Sequence, residues 1–189
     1  MLGELPNTLT VDGKEYEIRS DFKIGLLILQ AFQDPDLTVE EAGMVMLQCL
    51  YKDFASIPSS AQNEAYKQAI WFMNCGEYDE TNPYIPPTRK LYDFEQDSQV
   101  IFSSINKVAG YEVRSLDYLH FWTFIGYFNE IGQGTFSTIV SIRDKKRRNK
   151  KLDDWEKEFY RNNKHMVDLK RKYSEEELDK LEELKDLLG

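Results

Sequence analysis

Residues 91–110 read LYDFEQDSQVIFSSINKVAG. Leu91, Phe94, Ser98, Ile101, Ile105 and Val108 follow one another at alternating steps of three and four, and Gly110 stands where the pattern stops. Side chains at that spacing share one face of a helix, so the stretch predicts an amphipathic α-helix ended by glycine. On its C-terminal side, Leu116 to Ile131 carries Tyr118, Phe121, Trp122, Phe124, Tyr127 and Phe128 on nearly every side. A helix apolar all round is packed all round, so this one is expected at the centre, capped by Ser115 and ended by Gly132-Gln-Gly134. On the N-terminal side, residues 77–90, EYDETNPYIPPTRK, hold three of the six prolines. Proline removes an amide donor and restricts the residue before it, so this segment is an extended connection and a candidate contact loop.

The chain before that connection reads as a hairpin followed by helices. Leu9–Val11 and Lys14–Ile18 flank Asp12-Gly13, a pair suited to a two-residue turn. Asp21 is placed to cap a short apolar helix over 22–32, which Asp34-Pro35-Asp36 ends. Thr38 and Glu41 form a capping box ahead of Val39, Ala42, Val45, Cys49 and Leu50. Ala61, Ala65, Ala69 and Phe72 line a further helix that closes at Cys75-Gly76.

After Gly134 no glycine or proline occurs until Gly189. Thr135 to Ile142 starts a helix that enters RDKKRRNKK, residues 143–151. Leu152, Trp155, Phe159, Asn162, Met166, Leu169 and Tyr173 then follow in heptad-like steps. Ser174 and Glu177 form a second capping box before Leu178, Leu181, Leu184 and Leu188. The expected fold is mainly α: a helical bundle with a small N-terminal β-hairpin. It divides into an acidic helical core, 1–141, and a charged amphipathic helical arm, 142–189. The arm's stripe needs a partner, either its own core or another chain.

The 189 residues carry 24 basic and 33 acidic side chains, a net charge of −9. That balance argues against general nucleic-acid binding and adhesion to anionic lipid. No apolar stretch is long enough for a membrane span, and the N-terminus MLGELPNTLT lacks the basic start and apolar run of a secretory leader. Cys49 and Cys75 are too few for a disulfide framework and read as reduced, buried thiols.

The charge is unevenly placed. Residues 1–141 hold 9 basic and 20 acidic groups, whereas 142–189 hold 15 and 13. The basic run Arg143, Lys145, Lys146, Arg147, Arg148, Lys150 and Lys151 is the sharpest local feature. It can be a solvated helix face, a dock for an acidic protein surface (a second copy included), or a phosphate-neutralising patch. With Trp155, Phe159 and Tyr160 on the arm, these residues form the candidate partner-binding set.

No catalytic, cofactor or metal site is expected, and the chain reads as a non-enzyme. His120 lies in the aromatic helix as a core histidine and His165 is solvated, and neither has a partner at metal-ligand spacing. Gly132-Gln-Gly134-Thr135 lacks the third glycine and the lysine of a phosphate loop. Asp34-x-Asp36-x-Thr38 has Val39 and Val45 where a calcium loop needs glycine and glutamate.

The stretch Phe121–Asn163, FWTFIGYFNEIGQGTFSTIVSIRDKKRRNKKLDDWEKEFYRNN, resembles the bacteriophage gene-product-fifteen family, found in tail modules of long-tailed phages and prophages of low-GC Gram-positive bacteria. Three pieces carry the likeness: Trp122–Gly134 with Thr135-Phe136; Ile139–Arg143 with the basic run; and Lys150–Asp153 leading to Glu158–Tyr160. The resemblance implies a tail-assembly role in the host bacterial cytoplasm, as a chaperone of the tape measure protein that also recruits tail-tube subunits. The alternatives are a structural component kept in the virion and a nucleic-acid binder using residues 143–151. Self-association is a further expectation, from the acidic–basic–acidic order of charge.

Overall fold

The computed structural model describes residues 3–77, 91–170, 173–174, 177–180 and 182, which form two compact units: one contains residues 1–86 and 171–189, the other 87–170. Most of the extended connection predicted over 77–90, and Leu181, Leu184 and Leu188 of the last stripe, lie outside the described residues.

The first unit opens with an antiparallel hairpin, β1 (Thr8–Val11) and β2 (Lys14–Glu17), in the register Thr8 to Glu17 and Val11 to Lys14. Asp12 and Gly13 both take positive φ, 51° and 71°, the backbone that a right-twisted two-residue turn demands. Helices α1 (Phe22–Ala31), α2 (Val39–Leu50) and α3 (Gln62–Met73) follow. Asp21 caps α1 through Lys23 N–H, and Thr38 and Glu41 form the expected reciprocal box at α2. α1 packs on α2, α2 on α3, and α3 on β1. Gly43 permits the second of these: a Cβ there would stand 2.9 Å from the Tyr66 ring. Tyr51, Phe22, Phe72, Ile28, Met46 and Leu50 are almost fully buried.

One side chain that periodicity does not single out fastens this unit. Arg19 donates to the carbonyls of Cys49 (3.1 Å), Tyr51 (2.6 Å) and Lys52 (3.1 Å) at the end of α2. Those oxygens have no partner further along the helix, and the guanidinium supplies donors and an opposing charge.

The second unit contains α4 (Ser98–Ala109), α5 (Phe121–Asn129), α6 (Thr135–Arg147), α7 (Asp154–Asn162) and α8 (Lys164–Val167). α4 begins seven residues later than its apolar pattern, because Asp93 turns the preceding chain by accepting from Glu95 and Gln96 N–H. The aromatic helix also starts late. His120, not Ser115, is its N-cap, with Nδ1 accepting from Trp122 N–H at 3.1 Å. Nor is that helix enclosed on all sides: only Phe121 and Phe124 are fully buried, and Tyr118 is exposed. Tyr92, Phe94, Phe128 and Phe136 pack ring against ring with centroids 5.2–5.9 Å apart, so some of its aromatic surface forms a cluster at one side.

The boundary expected at 141/142 falls inside α6, and residues 142–170 fold with 87–141. Ile139, Ile142 and Val167 form a buried cluster, with Val100, Leu152, Phe159, Tyr160 and Met166 packed against it. Leu152, Phe159 and Met166 of the arm's stripe are thus covered from within their own unit, while Trp155 stays exposed. The arm is also not one helix: the chain breaks at Asn163 and is extended from Asp168. The second capping box is present, with Ser174 and Glu177 exchanging backbone-to-side-chain bonds at 3.2 Å.

Candidate functional site

The basic run falls on the second half of α6 and the turn after it, and each cation has its own environment. On α6, Phe136, Ile139, Ile142 and Arg143 recur at helical spacing and all are buried. Arg143 therefore occupies a core position and is 7% exposed. It pairs with both carboxylate oxygens of Asp97, at 2.6 and 2.9 Å. It also donates to the carbonyls of Val167 (2.6 Å), Met166 (2.7 Å) and Leu91 (3.0 Å). Asp97 is itself held, accepting from Asp93 N–H at 2.9 Å.

This centre explains why α8 stops at Val167. The carbonyls of Met166 and Val167 are taken by a side chain, so the backbone leaves the helix where a longer α8 would have used them. Gln96 reinforces the attachment, donating to Asp168 O and accepting from Lys170 N–H.

The next cations are partnered nearer the surface. Lys145 reaches Asp153 (2.9 Å) and Glu156 (2.6 Å), and Glu156 is buried at 1% exposure. Glu156 also accepts from Asp153 N–H, so it caps α7 and pairs with α6 at once. Lys146 bonds Asp168 at 2.7 Å and lies 3.9 Å from the centre of the Tyr160 ring, whose hydroxyl donates to the same carboxylate. Burial would raise the Asp168 carboxyl, but the bonds from Lys146 and Tyr160 outweigh it and hold it below its usual value. Arg147 and Arg148 both pair with Asp144.

Seven cations in nine residues thus do not form one patch. Arg143 is withdrawn into the core, four others pair with carboxylates, and Lys150 and Lys151 are exposed without an ion pair among the described residues. Of the aromatic candidates, Phe159 and Tyr160 face the buried cluster, while Trp155 is 57% exposed. The residues that sequence reasoning missed are Asp97 and Glu156. Asp97 lies 46 positions from Arg143, and no local pattern links them. The signal that was available is the place of Arg143 one turn beyond Ile139 on the apolar face of α6.

The remaining candidates are quickly placed. His120 is buried and His165 exposed. Cys49 and Cys75 are free and half-buried, less enclosed than expected; burial, aided by Glu77, pushes the Cys75 thiol up to about 11. The amide of Gly134 is bonded to Ser137 Oγ at 2.9 Å. Beside it, a groove of about 680 Å³ is lined by Val100, Ser103, Ser104, Val108, Ile131 and Thr135. Among the described residues, no cluster of His, Cys, Asp or Glu could hold a metal ion, and no helix is long and apolar enough to cross a membrane.

Several surface carboxylates are held below their ordinary values by the groups that bond them. Hydrogen bonds from Arg114 hold the Glu112 carboxyl down at about 2, from an ordinary 4.5. Glu17 and Asp154 are lowered by Lys52 and Lys157, and Glu41 by its capping bonds to Thr38. Each folded value lies below the unfolded one, so the stabilisation is complete above about pH 4.5 and is lost as pH falls through the folded values. A thermal-unfolding series is expected to show a flat midpoint from pH 7 to about 5 and a progressive fall between about 4.5 and 2. A midpoint unchanged down to pH 2.5 would show that these contacts contribute nothing.

The protein is thus of the mainly helical class, with a two-stranded hairpin at its head and a basic run paired largely within its own unit. The family model for the Bacteriophage Gp15 protein matches residues 1–169, and the chain belongs to that family. It is accordingly a phage structural or assembly protein. No curated protein and no solved structure matches the chain.

Proposed function

We propose that the protein is a non-enzymatic tail assembly chaperone that binds the phage tape measure protein, and tail-tube subunits with it, in the host bacterial cytoplasm. Family membership over residues 1–169 carries this reading, since the match takes in the hairpin, the aromatic helix and the basic run together. The exposed apolar side chains Leu27, Val39, Met44, Tyr118 and Trp155 support it, being surface that a helical client would cover. The pairing of most of the basic run supports a protein client over nucleic acid, because few of its cations are left to neutralise phosphates.

Co-expression with the cognate tape measure protein tests the proposal. The expected result is a several-fold gain in soluble client and its co-purification with this chain. Neither gain nor co-purification sinks it. The second reading, a structural component of the tail, is favoured by one observation: the arm to residue 170 is packed and bonded in place, as suits a rigid part. Mass spectrometry of purified virions separates the two, since a chaperone is absent and a component present.

A further inference from the structure

The two units differ in charge. Residues 87–170 hold 15 basic and 12 acidic side chains, and the remainder of the chain holds 9 and 21. On the second unit, internal pairing leaves Lys150 and Lys151 as exposed cations directly before α7. Trp155, in the first turn of that helix, is 57% exposed. The ring follows the two cations by five and four residues, with Asp153 and Asp154 exposed between them, and tryptophan is enriched among interface anchors.

On the first unit, the outward face of α2 is its complement. Glu40 and Met44 stand one turn apart with Glu41 beside them, all exposed, and Met44 is 43% open. Val39, 58% exposed, begins the same helix. A flexible thioether adapts to a flat ring, and Glu40 sets a carboxylate beside it, while Glu41's carboxylate closes the capping box.

We propose that these two surfaces bind each other between copies of this chain: Lys150, Lys151 and Trp155 of one copy seat on the Glu40–Met44 face of α2 of the next. Charge complementarity selects a second copy as the occupant. The same chain supplies both the cations left over on one unit and the acidic excess of the other. The two surfaces lie on different units, and the proposed contact is heterologous, one surface of each kind per pair of copies. A copy bound through one surface still offers the other, so association propagates into a ring or a filament. The proposal stands apart from the chaperone reading, which co-expression tests separately.

Sedimentation of the full chain at about 100 µM, in about 50 mM and about 500 mM salt, is the experiment. The expected result is assembly larger than a dimer at low salt, weakened roughly tenfold or more at high salt. Two surface variants are expected to sediment as monomers with unchanged circular dichroism: Lys150→Glu, Lys151→Glu with Trp155→Ala, and Glu40→Lys with Met44→Ala. Mixed together, they retain one intact surface of each kind and are expected to form a one-to-one dimer and nothing larger. A wild-type chain that stays monomeric at low salt overturns the proposal. So does assembly that survives in either variant, or a mixture that fails to pair. A monomeric wild type that shifts a DNA oligonucleotide through Lys150 and Lys151 overturns it in favour of nucleic acid.

Discussion

Arg143→Met is expected to destabilise the second unit by about 3–5 kcal/mol, the usual cost of removing one member of a buried ion pair. The loss has two parts. Asp97, 3% exposed at its side chain, would be left with one hydrogen-bond donor, Asp93 N–H, in place of three. The carbonyls of Leu91, Met166 and Val167 would lose their side-chain donors. Trp71 lies in the first unit and Trp122 and Trp155 in the second, so a Trp71→Phe background lets fluorescence follow urea unfolding of the second unit alone. Asp97→Leu alone is expected to cost a similar amount, because it strands the guanidinium. The double variant is expected to cost clearly less than the sum of the two, since no buried charge is left unpaired. Additive effects, or an Arg143→Met loss under about 1 kcal/mol, would show that the pair does not hold the second unit together.

Phe124→Ala is expected to cost about 3–5 kcal/mol, as for other fully buried aromatic truncations. Phe124 has no exposed surface and its ring lies 5.9 Å from that of Phe102, where α5 packs on α4. The cavity would open between two helices held by their own backbone bonds, so little collapse is available to fill it. Phe124→Leu is expected to recover much of the loss, and Trp155→Ala to stay within about 0.5 kcal/mol because its ring stands in solvent. Equal midpoints for Phe124→Ala and Trp155→Ala in the same urea series would refute this assignment of core and surface.

Local signals in the sequence were reliable where the chemistry is local. The Asp12-Gly13 turn, the Asp21 cap and the Thr38–Glu41 and Ser174–Glu177 boxes depend on residues within a few positions of one another, and each is present. Helix limits were less legible wherever a distant group decides them. Nothing near Val167 announces that its carbonyl is bonded by an arginine 24 positions away. The run 143–151 misleads for the same reason: a count of like charges cannot register Asp97, Glu156 and Asp168, which come to it from three other parts of the chain. Periodicity held the correction in plain view, since Arg143 continues the row of Phe136 and Ile139. A cation on an apolar stripe is a reason to look for a buried acid.

The bonds from Arg143 to residues 91, 166 and 167 all end on main-chain oxygen. Such a clamp reads where the chain passes and not which side chains it bears. The clamp on the segment after Asn163 is accordingly sensitive to length, and indifferent to residue identity at the exposed positions Lys164 and His165. A single inserted or deleted residue between Asn163 and Met166 would move both carbonyls out of reach, while substitutions at Lys164 and His165 would leave the attachment whole.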